Sequence, residues 1–263
     1  MKNHLLLSLV VGGAFAGSAL AGTEPESKNP KVPVTPPVEE SPMITGSVSL
    51  GYDTQYIYRG FEILSADGEE ADHLVWGALD VNAALTDKLS LNFNAWYASS
   101  AGADYDELDL YTRLTYNLGP VQIGPSFKYY HYPRYPSPVD NQYEVGLELF
   151  ASPVENLAIG LGGFYEFEAE FWYFQLDANY TIKLCDWASL VPGATVSFVE
   201  VESADFALDL DGFHHITAYL KAPIKLAKNV VLTPYIAGNF PLSDIDDVQD
   251  NIVYGGASLA VSF

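Results

Sequence analysis

The chain has 263 residues, with 34 acidic and 12 basic side chains and a formal net charge of −22 at pH 7. Such acidity argues against nucleic acid or anionic headgroups as direct ligands. A charged fraction of 17% with 14% aromatic residues argues against disorder, and the single cysteine, Cys185, excludes an internal disulfide framework.

The N-terminus has the three parts of a secretory signal peptide. Lys2 is basic, residues 5–16 are apolar, and residues 19–21 read Ala-Leu-Ala, a cleavage pattern. We therefore expect residues 1–21 to direct export. Neither this run nor any later stretch reaches the roughly 18 apolar residues that a membrane helix needs. Membrane residence would then require strands, and only a closed barrel satisfies their backbone groups in lipid.

Residues 22–42 are rich in proline, which favours an extended, semi-rigid linker. Because it precedes the first predicted strand, we expect this linker to lie in the periplasm as a tether or spacer. The remaining residues, 43–263, alternate between apolar and polar positions and are assigned to one barrel domain.

The alternation predicts an all-β fold, a transmembrane antiparallel β-barrel of twelve strands. The count is even, as in single-chain bacterial barrels, and one missed or split hairpin would make it ten or fourteen. The predicted strands are 44–59, 72–86, 88–99, 106–118, 121–132, 141–152, 157–168, 171–184, 190–201, 212–226, 230–240 and 250–263.

The connections between these strands alternate between short turns and mostly longer segments, which is the pattern of periplasmic turns and external loops. The longer segments are strongly acidic. Three interpretations remain open: a solvated surface, bridging to anionic lipopolysaccharide through divalent cations, or attraction of cationic solutes.

The polar faces of the predicted strands carry both charge signs at mid-strand, which suits a wet lumen better than a soluble sheet. These side chains would either cross-link the lumen or line a constriction that selects ions. The candidates are Asp53, Arg59, Asp80, Asp109, Arg113, Lys128, Glu144, Glu148, Glu166, Asp177, Lys183 and Lys221.

Twelve strands enclose a lumen between a side-chain-filled barrel of eight strands and an open channel of 16 to 18. Inward tyrosines would narrow it further. Other aromatic residues near the external loops would form an external girdle where they face outward. Those near the loops are Tyr56, Tyr58, Tyr97, Tyr129, Tyr130, Tyr132, Tyr165, Phe167, Phe171, Trp172 and Tyr173.

Histidines near the external rim suggest two sharper hypotheses beside the plain surface interpretation. His73, His131 and His214 are weak candidates for a transition-metal site. With Asp211, His214 could instead serve an Asp/His hydrolytic site. Because His214 and His215 are adjacent, their side chains should point to opposite faces of a strand. We expect no metal and no cofactor.

The first predicted strand contains Tyr56, Arg59 and Gly60 in a Tyr-x-x-Arg-Gly pattern. This resembles the first-strand signature of the TorF-type porin family of small bacterial outer-membrane β-barrels. The signal peptide, chain length, repeated hairpins and terminal Phe263 extend the resemblance. It implies an outer-membrane channel, with Arg59 inward near the external mouth. The long Pro-rich leader and the acidic loops depart from the family pattern.

We therefore expect a non-enzymatic channel in the bacterial outer membrane, passing ions or small solutes with weak cation preference. Its expected partners are outer-membrane lipid, lipopolysaccharide and small solutes, and a homo-oligomer is open. The alternatives are a plugged structural or adhesion barrel and a hydrolase at the rim.

Overall fold

The computed structural model describes residues 44–64, 73–100, 105–133, 141–202, 211–243, 246 and 249–263. The predicted signal peptide and linker lie outside these residues, as do most acidic loop positions. Among the described residues, no helix is long and apolar enough to cross a membrane.

The described residues contain these strands: β1 (Ile44–Asp53), β2 (Ile57–Tyr58), β3 (Phe61–Glu62), β4 (Leu74–Ala84), β5 (Leu89–Ser100), β6 (Asp106–Asn117), β7 (Val121–His131), β8 (Asn141–Ala151), β9 (Leu157–Glu166), β10 (Phe171–Tyr180), β11 (Ile182–Cys185), β12 (Ala188–Val201), β13 (Gly212–Lys221), β14 (Ile224–Ala227), β15 (Val230–Pro241) and β16 (Ile252–Ser262).

The strands form a closed antiparallel ring, which confirms the predicted barrel. Each wall strand pairs with its neighbour along the chain, and β1 pairs with β16 to join the two ends. Two predicted strands are interrupted: β11 continues the wall of β10, and β14 continues that of β13. Pro223 stands in the second gap, where it has no N–H to donate. Counting each interrupted pair once gives twelve wall strands.

The outer surface of the wall is apolar. Large hydrophobic side chains at alternate positions are exposed, among them Leu50 at 64%, Leu147 at 55% and Val253 at 71%. A soluble sheet would bury this face, whereas a transmembrane barrel presents it to acyl chains. The chain is therefore an outer-membrane β-barrel.

The prediction that the first strand runs to residue 59 is wrong, because the wall strand ends at Asp53. Strands β2 and β3 pair only with each other, and Ile63 N donates to Tyr56 O at 2.9 Å. Arg59 and Gly60 at the tip have φ of 46° and 90°, as a tight two-residue hairpin turn requires. We call residues 54–64 the inner hairpin.

The aromatic residues near the loops divide between two environments. Tyr165, Trp172 and Phe174 continue on the outer surface to Phe198 and Phe213, with successive ring centroids 5.0 to 6.4 Å apart. Two members of this outer band, Tyr165 and Trp172, are among the residues predicted near the loops, whereas Phe174, Phe198 and Phe213 were not predicted. Six of the others are buried instead and line the inside: Tyr56, Tyr58, Tyr130, Tyr132, Phe171 and Tyr173.

Candidate functional site in the barrel lumen

The inner hairpin fills the lumen at the end of the barrel where β9 turns into β10, which we take as the external end. Its residues bond to strands on several sides. Tyr56 Oη donates to Glu107 Oε2 of β6 at 2.8 Å. Gly60 O accepts from Asn239 Nδ2 of β15 at 2.8 Å, and the ring of Phe61 meets His214 of β13 edge-on at 4.9 Å.

Burial at this level is close to complete on both the hairpin and the wall. Tyr58 and Phe61 are 4% and 5% exposed, and the wall residues Tyr130 and Glu107 are both at 0%. The external half of the lumen is a packed core in this conformation.

Arg59 at the hairpin tip inserts into a pocket of the wall. Its guanidinium pairs with Glu144 of β8. It also lies 4.1 Å above the Tyr173 ring and 5.5 and 5.9 Å from the Phe164 and Phe171 rings. A carboxylate and aromatic faces both attract a cation. We call the wall residues Glu144, Phe164, Phe171 and Tyr173 the cation cage.

Two further cations are held by wall carboxylates next to the cage. Lys128 Nζ lies 3.2 Å from the second oxygen of Glu144, so this carboxylate serves two cations. Arg113 Nη1 lies 3.4 Å from Glu148 Oε2. Tyr111 donates to the other Glu148 oxygen at 2.7 Å. Both glutamates are 1% exposed, so these pairs are buried. Lys128–Glu144 joins the adjacent strands β7 and β8, whereas Arg113–Glu148 reaches across β7 from β6 to β8.

Asp109 differs from these glutamates. It is 4% exposed, and the side chain beside its carboxylate is another acid, Glu107. Glu107, two residues earlier on the same face, accepts from Tyr105 at 2.7 Å as well as from Tyr56. The side chains of β6 that face the inner hairpin are therefore acidic.

Three further lumen carboxylates are held by neutral donors. Asp53 accepts from Trp76 Nε1 at 2.8 Å and from Tyr235 Oη at 2.7 Å. Asp177 accepts from Tyr219 Oη and Thr195 Oγ1, both at 2.9 Å.

Asp80 follows the same pattern, accepting from Asn94 Nδ2 at 2.8 Å. Asp53, Asp80 and Asp177 are all half-buried. Within the described part of the chain, none of the three has a cation within 4 Å. Lys221 sits 4.7 Å over the Tyr219 ring without pairing directly with Asp177.

Two predicted lumen residues have other surroundings. Lys183 is 68% exposed and pairs at 2.9 Å with Asp186 in the turn before β12, so it lies at the rim rather than in the lumen. The hydrogen bond from Lys183 lowers the pKa of Asp186. Glu166 is buried at the end of β9, where it accepts from the backbone N–H groups of Glu168 and Ala169.

The prediction that His214 and His215 point to opposite faces is wrong. Between Val196 and Phe198 the register shifts by one residue, so both histidines oppose Ser197. Such a bulge breaks the strict alternation of a strand. Both rings turn inward and are nearly fully buried, with their Nδ1 atoms 3.0 Å apart.

The metal candidates do not come together. His73 contacts the Tyr52 ring and His131 bonds to Asn141. Among the described residues, no three histidine, cysteine, aspartate or glutamate side chains form a metal-binding group. Asp211, the proposed partner of His214, accepts from the backbone N–H of Val201 at 2.7 Å.

Sequence reasoning missed the inner hairpin and Phe164. The hairpin carried a readable signal, since Arg59 and Gly60 stand between aromatic residues and Gly tolerates positive φ. Phe164 carried no signal of its own in the sequence. Its ring lies where a side chain on Gly146 or Gly162 would begin.

Comparisons with solved structures agree with this architecture. The KdgM porin aligns with a TM-score of 0.52 at 14% identity, covering 82% of this chain and 99% of that one. An outer-membrane channel from Pseudomonas putida F1 gives 0.52 at 14%, covering 84% and 95%. The NanC porin gives 0.51 at 10%, covering 83% and 98%. No protein-family model and no curated protein sequence matches the chain. At these identities the likeness concerns the fold.

Proposed function

We propose that the protein is a narrow outer-membrane channel for passive diffusion of ions or small solutes, with weak preference for cations. The observation that carries this proposal is the set Asp53, Asp80 and Asp177. Their half-buried carboxylates are oriented by neutral donors and keep their charge available to the lumen. Acidic groups at a constriction raise the local cation concentration and repel anions.

The remaining lumen charges support the same sign of selectivity. Arg59 and Lys128 share Glu144, and Arg113 pairs with Glu148. The buried Glu107 and Asp109 of β6 add two acids, so acids outnumber bases in this group. The KdgM porin has also been solved in complex with disordered oligogalacturonate, an acidic ligand. We propose a different solute class for this chain, because its lumen carries more acids than bases.

The selectivity is tested with the full chain in a planar bilayer under a potassium chloride gradient. We expect a reversal potential that favours potassium, moved toward zero by the triple substitution D53N/D80N/D177N. Asp186→Asn, in the exposed turn, is the matched control and should leave the potential unchanged. Equal chloride and potassium permeation in the native channel would reject cation preference.

A plugged structural barrel is the second candidate, and the inner hairpin is the observation that favours it. The hairpin packs the external half of the lumen through Tyr58, Phe61 and their buried neighbours. If the folded protein passes no ionic current, either in its native form or after removal of the hairpin, the channel proposal is rejected in favour of a structural role.

We also propose, at a finer level, that the chain is a TorF-type porin and contacts lipopolysaccharide at its external rim. The motif residues support the first, because Arg59 and Gly60 form the hairpin tip. The outer aromatic band supports the second. A hydrolytic role is not proposed, since His214 is 1% exposed beneath the hairpin. Whether copies of the barrel associate is tested by cross-linking in membranes.

A further inference from the structure

The cation cage belongs to the wall, whereas the group inside it belongs to the hairpin. Glu144, Phe164 and Tyr173 lie on β8, β9 and β10, which pair with one another independently of residues 54–64. The cage would therefore keep its aromatic faces and its carboxylate if the hairpin moved away. Without Arg59, Lys128 would still pair with one oxygen of Glu144, while the other oxygen and the aromatic faces would be left buried without a cation, which favours binding of another one.

Arg59 occupies the cage as a planar cation, while the Lys128 ammonium contacts the other oxygen of Glu144 and lies 4.6 Å from the Phe164 ring centroid. The guanidinium carbon lies 4.1 Å from the centroid of Tyr173, a distance typical of stacking, while Glu144 accepts from its edge. A guanidinium is planar and weakly hydrated, so it stacks on rings and pairs with a carboxylate at once. Glu166 lies directly opposite Glu144 in the β8–β9 register and places a second acid beside the cage.

The cage also lies where an incoming solute would arrive. Phe164 precedes the end of β9 by two residues, Phe171 begins β10, and a four-residue turn joins the two strands at the external end. The turn holds Glu166 by backbone hydrogen bonds, which fixes the shape of this side of the mouth.

We propose that the cation cage is a binding site for solutes that carry a guanidinium group, and that Arg59 occupies it as a built-in competitor. A solute that displaces Arg59 removes the ion pair between the hairpin tip and Glu144, and this opens the external half of the lumen. The second part rests on the proposed channel function, whereas binding to the cage does not.

Binding is tested by chemical rescue in the detergent-solubilised full chain, read as the thermal unfolding midpoint. Arg59→Ala should lower the midpoint, and low-millimolar guanidinium chloride should restore part of the loss by binding the folded state. Urea, a neutral molecule of similar shape, should not. The rescue should disappear in R59A/Y173L. Lys183→Ala, which removes an exposed ion pair, is the matched control and should show no guanidinium effect.

A midpoint of Arg59→Ala that responds equally to guanidinium, urea and sodium chloride would overturn the site, as would full rescue in R59A/Y173L. If Arg59→Ala does not fold, Arg59→Gln removes the charge while keeping most of the volume and is judged by the same criteria.

Displacement is tested separately on the native protein in a planar bilayer. External guanidinium should raise the mean current several-fold and urea should not. If guanidinium restores the unfolding midpoint of Arg59→Ala but does not raise the current of the native protein, and a hairpin-deleted barrel conducts, then displacement of Arg59 by the solute is overturned. A deleted barrel that never conducts counts against the proposed channel function, while the rescue result on the cage still stands.

Discussion

At the scale of single residues, Glu144 is the lumen position that we expect to be most sensitive to substitution. One carboxylate that is 1% exposed holds two cations, Arg59 from the hairpin and Lys128 from β7. A buried charge without its partner is far more costly than an exposed one, because water no longer solvates it. The stability of the lumen network should therefore depend unequally on its members.

Glu144→Gln should destabilise the barrel by about 3–5 kcal/mol, because it leaves two buried cations without their shared carboxylate. The loss is measured as a shift in urea unfolding in detergent, followed by gel migration. Asp186→Asn also removes one partner of an ion pair, but in an exposed turn, and should leave the midpoint unchanged. Equal effects of the two substitutions would contradict the importance of burial.

At the scale of strands, β9 shows how glycine decides where a large side chain fits. Gly146 of β8 and Gly162 of β9 lie against opposite parts of the Phe164 ring, which is 1% exposed. A Cβ at either glycine would stand within 2.6 Å of a ring atom. The ring in turn forms part of the cation cage, so the glycines set the position of an aromatic face.

Gly162→Ala should destabilise the barrel by roughly 1–3 kcal/mol, because the buried ring has little room to move. Gly160→Ala on the same strand and face is the matched control. Its new Cβ would meet the Phe150 ring at 3.4 Å, so it should change stability by less than about 0.5 kcal/mol. Unfolding in urea measures both, and a harmless Gly162→Ala would mean that the Phe164 ring shifts easily.

At the scale of the whole molecule, the wall and the inner hairpin are separable. The ring closes through β1–β4 and β1–β16 pairing, neither of which involves residues 54–64. The wall should therefore fold when the hairpin is shortened, and the lumen should then widen at its external half.

Replacing residues 55–63 by a short Gly-Ser linker should raise single-channel conductance several-fold, because the replaced residues fill the lumen next to the cation cage. The measurement is single-channel recording, with heat-modified gel migration as the check that the barrel is folded. Shortening the exposed turn at 153–156 is the control and should leave conductance as in the native protein. No rise after a verified replacement would mean that the wall itself closes the lumen.

The period of two along residues 44–263, together with the predicted signal peptide, predicted a closed outer-membrane barrel of twelve strands, with ten or fourteen left open. That pattern can be read from neighbouring residues alone. Few architectures allow strands to face lipid on one side and polar groups on the other. The tertiary structure alone decided that residues 54–64 turn inward, that Lys183 sits at the rim, and that a bulge brings His214 and His215 to one face. These outcomes depend on contacts between side chains that are distant in sequence, such as Arg59 with Glu144 across the lumen. The alternation within one strand does not indicate which residues of other strands those side chains will contact.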